Sequence, residues 1–216
     1  MLRHFVLVAL SCVPLAALAL HPTPAEIREI CADAEGAAHC GRLIETVQLQ
    51  RLPGLARRDG ADLLVSLYPQ GTARFTDVED PLNARSYSLW DSLDAINSVL
   101  IYTTTSDATA FTLLQRRTNR RFTFPAEPVL APDRQRLVTA DVCTRDCSNE
   151  IVVWKISGDA IARELAWKVP PGWSDAAAAW KDAETLRIEY NAGTQSDTTL
   201  ERKLSDAAWN RVPPTR

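Results

Sequence analysis

Apolar positions along this chain change their spacing twice. Residues 5–18 are almost wholly apolar, residues 20–58 carry apolar side chains at helical intervals, and from Asp59 onward short apolar runs alternate with polar turns. In the helical zone, Thr23-Pro24-Ala25-Glu26 supplies an N-capping threonine, a proline at the first helical position and a glutamate three residues after the cap. Ile27 and Ile30-Cys31 follow as an apolar stripe. Gly36 interrupts it, and the spacing predicts a second helix over 40–49 before Pro53-Gly54 stops it.

The third zone reads as four β-hairpins, over 61–78, 97–115, 135–157 and 185–205. Each is an apolar run, a polar turn and a returning strand. The leading strands start near Leu63, Val99, Leu137 and Leu186, at spacings of 36, 38 and 49 residues, a range that points to a repeat architecture. An offset of 49 matches Asp133 with Asp182, Leu137 with Leu186 and Ile151 with Leu200. The expected fold is mainly β: antiparallel hairpins forming a blade-like sheet or sandwich over 59–216. A helical segment, 20–58, packs on it as part of one domain.

One segment carries a family resemblance. Ala131-Pro132-Asp133-Arg134-Gln135-Arg136 leads into a strand, and Val153-Trp154-Lys155-Ile156 lies in the strand that follows. Residues 128–157 thereby resemble a blade of TolB-like and WD-repeat β-propellers. The pattern departs from theirs in lacking a glycine after Asp133. Four hairpins also supply about eight strands, short of the four to eight four-stranded blades of a closed propeller. The resemblance implies architecture and transfers no functional residue.

Composition then places the chain. The first residues combine a basic start (Arg3, His4), the apolar stretch and Ala17-Leu18-Ala19, the layout of a secretory leader covering 1–19. Its apolar run, interrupted by Pro14, is shorter than the roughly 20 residues a membrane span needs. No later segment is long enough, so no transmembrane segment is expected in the mature chain. Lipidation at Cys12 competes with simple cleavage, but Ala9-Leu10-Ser11 fits that modification poorly. With 24 basic and 27 acidic side chains and a net charge of −3, the protein is a poor ligand for nucleic acid. It is expected in the periplasm or outside the cell.

Outside the leader stand Cys31, Cys40, Cys143 and Cys147, an even set that favours two disulfides in an exported protein. Four cysteines allow three connectivities. A five-residue loop gains only ~2 kcal/mol by chain entropy, whereas a bridge from the helical segment to the distant pair gains about 5. Proximity favours Cys31–Cys40 and Cys143–Cys147, and those are expected. Zinc is disfavoured by the absence of C-x-x-C spacing, and a thioredoxin-like centre by the C-x-x-x-C spacing in a predicted hairpin. No metal or cofactor is expected.

Other chemistry is sparse. Histidine occurs at positions 4, 21 and 39, and His21 lies close to the expected cleavage point, so a histidine-based nucleophile would run through His39. No G-x-S-x-G, H-E-x-x-H, P-loop or G-x-G-x-x-G is present. The carboxylate candidates are Asp77, Glu79 and Asp80, with a weak Ca²⁺ site conceivable at 77–80, and the pair Asp91 and Asp94. Sequence neighbours on a turn seldom face each other across a cleft as a glycosidase requires. Two surface candidates remain. Arg116, Arg117, Arg120 and Arg121 flank a predicted turn at Thr118-Asn119 and could grip an anionic partner. Trp173 lies in a Pro-Pro-Gly loop and could anchor a ligand, or fold back over a core edge. The expected function is an exported, non-catalytic binding or interaction domain of the bacterial envelope, its partner another envelope or secreted protein. A periplasmic inhibitor or immunity protein against a toxin or hydrolase, and a carboxylate-based hydrolase, are the competing classes.

Overall fold

The computed structural model describes residues 21–80 and 82–212; the expected leader and Cys12 lie outside them. Two helices come first, α1 (Pro24–Ile30) and α2 (Ala37–Arg51). Thr23 caps α1, its hydroxyl accepting from the Glu26 amide at 3.2 Å, with Pro24 at the first helical position. The helical zone ends earlier than its composition predicts, because β1 (Ala56–Asp59) already includes positions 56–58. These residues pair with β2 (Asp62–Ser66) through Arg58↔Leu63 and Ala56↔Val65, and that ladder outweighs the arginines' helical preference.

Strand β3 (Thr72–Thr76) completes a first, three-stranded sheet. β4 (Arg85–Leu93), β5 (Ser98–Thr105), β6 (Thr109–Gln115) and β7 (Arg120–Phe124) form a second. β8 (Val129–Leu130), β9 (Arg136–Asp141), β10 (Glu150–Ser157) and β11 (Ala160–Lys168) form a third, and β12 (Trp173–Trp180), β13 (Thr185–Ala192) and β14 (Gln195–Lys203) a fourth. All pairs are antiparallel. The chain then returns, and β15 (Asn210–Arg211) joins the outer side of β11 through Leu165↔Arg211.

The four expected hairpins are present, one in each sheet: β2–β3, β5–β6, β9–β10 and β13–β14. The expected total of about eight strands is too low. The described residues hold 15, because strands flank every hairpin. Short, polar or alanine-rich segments such as Ala56–Asp59 and Trp173–Trp180 carry little hydrophobic signal, yet each completes a neighbour's hydrogen bonds.

Three cores lie between successive sheets. Leu63, Val65 and Phe75 of the first meet Leu89, Val99 and Ile101 of the second. On the second sheet's other side, Leu100, Leu113 and Phe124 meet Leu137 of the third, beneath Ile44 of α2. Val138, Ile151 and Val153 of the third meet Leu186 and Ile188 of the fourth, closed by Trp209. The two inner sheets are thus buried on both faces. That explains why 98–101 and 151–153 are continuous buried runs while β3, on an outer sheet, alternates exposed and buried.

Helix α2 lies along β4, the edge strand of the second sheet, and supplies its missing hydrogen bonds. The Leu89 amide donates to Glu45 at 2.9 Å, and Gln48 donates to the Trp90 carbonyl at 2.8 Å. Arg42 and Arg58 donate to the Tyr87 carbonyl at 2.9 and 2.6 Å. The disulfide Cys31–Cys40 joins the two helices, and Cys143–Cys147 closes the β9–β10 turn. Both are the expected local bridges. No described helix is long and apolar enough to cross a membrane.

Candidate functional site

Most residues singled out by composition contact neighbouring elements of the protein. The arginine hairpin does turn at Asn119, between β6 and β7. Arg116, however, donates to the Ser66 carbonyl at 2.7 Å, Arg121 lies 4.1 Å over the Phe75 ring, and Arg120 pairs with Asp159 at 3.3 Å. Three of the four therefore tie the second sheet to the first and third. Arg117 is exposed and makes no ion pair among the described residues. Trp173 is no loop anchor. It starts β12, half-buried, stacked on Tyr190 at 3.7 Å between ring centroids and edge-on to Trp167 at 5.6 Å. The glycine and prolines before it misplace it in the sequence; its cross-strand pairing to Ala192 draws it onto the fourth sheet.

Asp77 pairs with Arg42 and Arg58 and accepts from the Tyr87 amide at 2.9 Å, so it belongs to the network capping β4. Asp80 accepts from the Leu82 and Asn83 amides and fixes its own turn. Among the described residues no group of three or more His, Cys, Asp or Glu side chains is disposed to hold a metal ion. His39 is exposed and accepts from the Glu35 amide at 3.2 Å, beside the start of α2.

The pair Asp91 and Asp94 leads further. β4 bulges at Trp90: Leu89 faces Ile101 across the ladder, and the next paired residue is Asp91, facing Leu100. Directly paired residues project to the same face, so the extra residue moves Asp91 from the side of Leu89 to the side of Leu100. That side carries the second core and faces the third sheet. Asp91 is thereby buried, 8% exposed. His21 approaches it, with Nδ1 2.9 Å from both carboxylate oxygens. With Asp91 ionised, Nδ1 must carry the proton, because a carboxylate only accepts. Asp94 turns away and accepts the Ser92 hydroxyl.

Next to Asp91 stands Glu127, in the Pro125-Ala126-Glu127-Pro128 link between the second and third sheets. The Trp90 indole donates to its Oε1 at 2.9 Å. Burial pushes both carboxyls above the ordinary carboxylate range. For Asp91, the His21 hydrogen bond opposes that rise. For Glu127, Trp90 opposes it and the Asp91 charge adds to it. Glu127 is nonetheless open to solvent on one side, since it lines a recess rather than a sealed core. Its displacement is therefore weaker evidence of isolation than that of Asp91.

The recess is a cavity of about 530 Å³. Pro24 and Ile27 of α1 form one wall, Glu127 and Val129 another, and alanines 176–179 of β12 the floor. Arg187 and Glu189 border it but pair with each other at 2.8 Å. A floor of side chains no larger than a methyl group leaves the space open. The bridge of Cys143 to Asp175 and the Trp180 indole bond to the Val129 carbonyl (2.9 Å) fix β12 against the third sheet below it.

Neither Glu127 nor His21 stood out in the sequence. An acid between two prolines in an apolar context is the only local signal at 127. The pairing of His21 depends on a bulge and on contacts 70 residues apart. No protein-family model, curated protein or solved structure matches the chain.

Proposed function

We propose that this chain is an exported, non-catalytic binding domain of the bacterial envelope that takes a small ligand in the cavity between α1 and the alanine floor of β12. The observation that carries this reading is the recess itself: about 530 Å³, mostly apolar, with Glu127 as its polar anchor beside the mutually paired Arg187 and Glu189. Small-molecule sites commonly combine that size with an apolar lining and few oriented polar groups. Export is supported by two disulfides, which persist in oxidising compartments. The contacts of Arg116, Arg120, Arg121 and Trp173 with neighbouring strands favour the cavity over that surface as the site.

A ligand-observed NMR fragment screen tests it, run on the wild type and on Ala179→Phe. Ala179 is an exposed edge-strand residue lining the cavity, where phenylalanine suits a strand and fills the space. Fragments that bind the wild type should lose binding in the variant. Identical hits in both proteins would place the ligand elsewhere.

A second reading, a carboxylate-based hydrolase, is favoured by one observation: Asp91 and Glu127 are neighbours that both resist ionisation. A hydrolytic activity abolished by Asp91→Asn or Glu127→Gln, with the fold intact by circular dichroism, would replace the binding reading.

A further inference from the structure

The cavity's charge identifies the class of ligand. Its lining is alanine, proline, isoleucine and valine apart from one pair and one acid. The pair, Arg187 and Glu189, is self-neutralised on the rim. The acid, Glu127, has one oxygen held by Trp90, and Oε2 receives no hydrogen bond from the described residues. Behind it Asp91 adds a second negative group, whose nearby partner of basic character among the described residues is His21. The arginines of the region are committed elsewhere: Arg51 to Glu26, and Arg42 and Arg58 to Glu45 and Asp77.

We infer that the cavity binds a compact organic amine, its ammonium on Glu127 Oε2 and its apolar body on the alanine floor; this rests on the binding reading above. A neutral ligand would bury the carboxylate without a counter-charge, at a cost of desolvation. An anion would add repulsion from Glu127 and Asp91. An ammonium replaces the lost water with a charge-assisted hydrogen bond, while Trp90 holds the carboxylate orientation and so limits the ordering cost. Carbon substituents of the amine gain by leaving water against Ile27, Val129 and the alanines.

Three probes of one shape separate the possibilities: cyclohexylmethylamine, cyclohexylmethanol and cyclohexanecarboxylate, titrated calorimetrically into the full mature protein at pH 7. The amine is expected to bind at least tenfold tighter than the alcohol, and the carboxylate not measurably. Glu127→Gln keeps an acceptor for Trp90; it should weaken the amine at least tenfold and leave the alcohol unchanged. Ala179→Phe should weaken amine and alcohol alike. An alcohol that binds as well as the amine, or an amine unaffected by Glu127→Gln, overturns the amine assignment and leaves the cavity reading standing. If Ala179→Phe changes the binding of none of the probes that bind, the cavity reading itself fails. Absence of binding by all three probes also rejects the amine class, and the fragment screen then decides the cavity independently.

Discussion

At Arg134 the backbone sits at φ 62°, in the left-handed region, within the turn that leads into β9. The Gln135 amide donates to Asp133 at 2.9 Å, and 49 residues later the Glu184 amide donates to Asp182 at 2.8 Å in the same way. The turn thus has the conformation that glycine prefers at the position where Arg134 stands. Arg134→Gly should raise the urea midpoint, by about 0.5–1 kcal/mol of stability, because a side chain in this region is strained by about 1–2 kcal/mol and glycine's entropy returns only part of it. Glu127 yields a second expectation. Its carboxyl is raised in the folded protein, so its contribution is full below the unfolded-state value near 4.5 and is lost as pH rises through the folded-state value. Glu127→Gln removes that loss. Urea unfolding from pH 4 to 8 should show the variant gaining on the wild type with rising pH; a constant difference would contradict the raised carboxyl.

On the scale of elements, α2 substitutes for a strand. Glu45, 3% exposed, accepts the Leu89 amide and pairs with both Arg42 and Arg58. Removing it leaves the Leu89 amide as a buried donor without its acceptor, and Arg42 and Arg58 with Asp77 as their remaining carboxylate. Glu45→Ala should cost about 1–3 kcal/mol, the range for leaving a buried hydrogen-bonding group unsatisfied, read by chemical unfolding. Gly41 sets how closely this helix approaches. A Cβ there would meet Tyr102 Cδ1 at 2.9 Å and Ser88 Oγ at 3.0 Å, and the Tyr102 ring is held between Trp90 and Phe111, with centroids at 5.0 and 5.1 Å. Gly41→Ala should therefore lower Tm, although alanine is favoured by about 1 kcal/mol in a helix interior. A rise in Tm would mean the helix can shift at little cost. The Cys143–Cys147 bridge spans a short loop, and its double serine variant should lose about 2 kcal/mol with the strand circular-dichroism signal unchanged.

For the molecule as a whole, the sequence made legible whatever was local. The cap at Thr23, the helix pair, the four hairpins and both disulfide pairings follow from spacing within a few residues. The flanking strands were illegible because their partners supply their reason to be extended: β12 carries four consecutive alanines, which read as helix or nothing until β13 lies beside them. The site was illegible for a related cause. Asp91 was a candidate, but neighbouring Glu127 lies in the link between the second and third sheets, and a single bulged residue decides which face Asp91 occupies. The arginine run shows a different limit, because charge density in a sequence does not reveal which charges also contact neighbouring sheets.

The first helix has a bearing on when the protein can work. α1 contributes no fully buried residue; it is held by the Cys31–Cys40 bond, the Arg51–Glu26 pair and half-buried Ile27 and Ile30. It is also one wall of the cavity. Under dithiothreitol, amide exchange should accelerate across 24–30 while β5 and β10 keep their protection, and equal protection with and without reductant would show the helix to be held by packing alone. The buried members of the three inter-sheet cores include no cysteine, so reduction should loosen this wall of the cavity before it reaches the sheets. On the proposed binding reading, closing the Cys31–Cys40 bond is the step that completes the pocket.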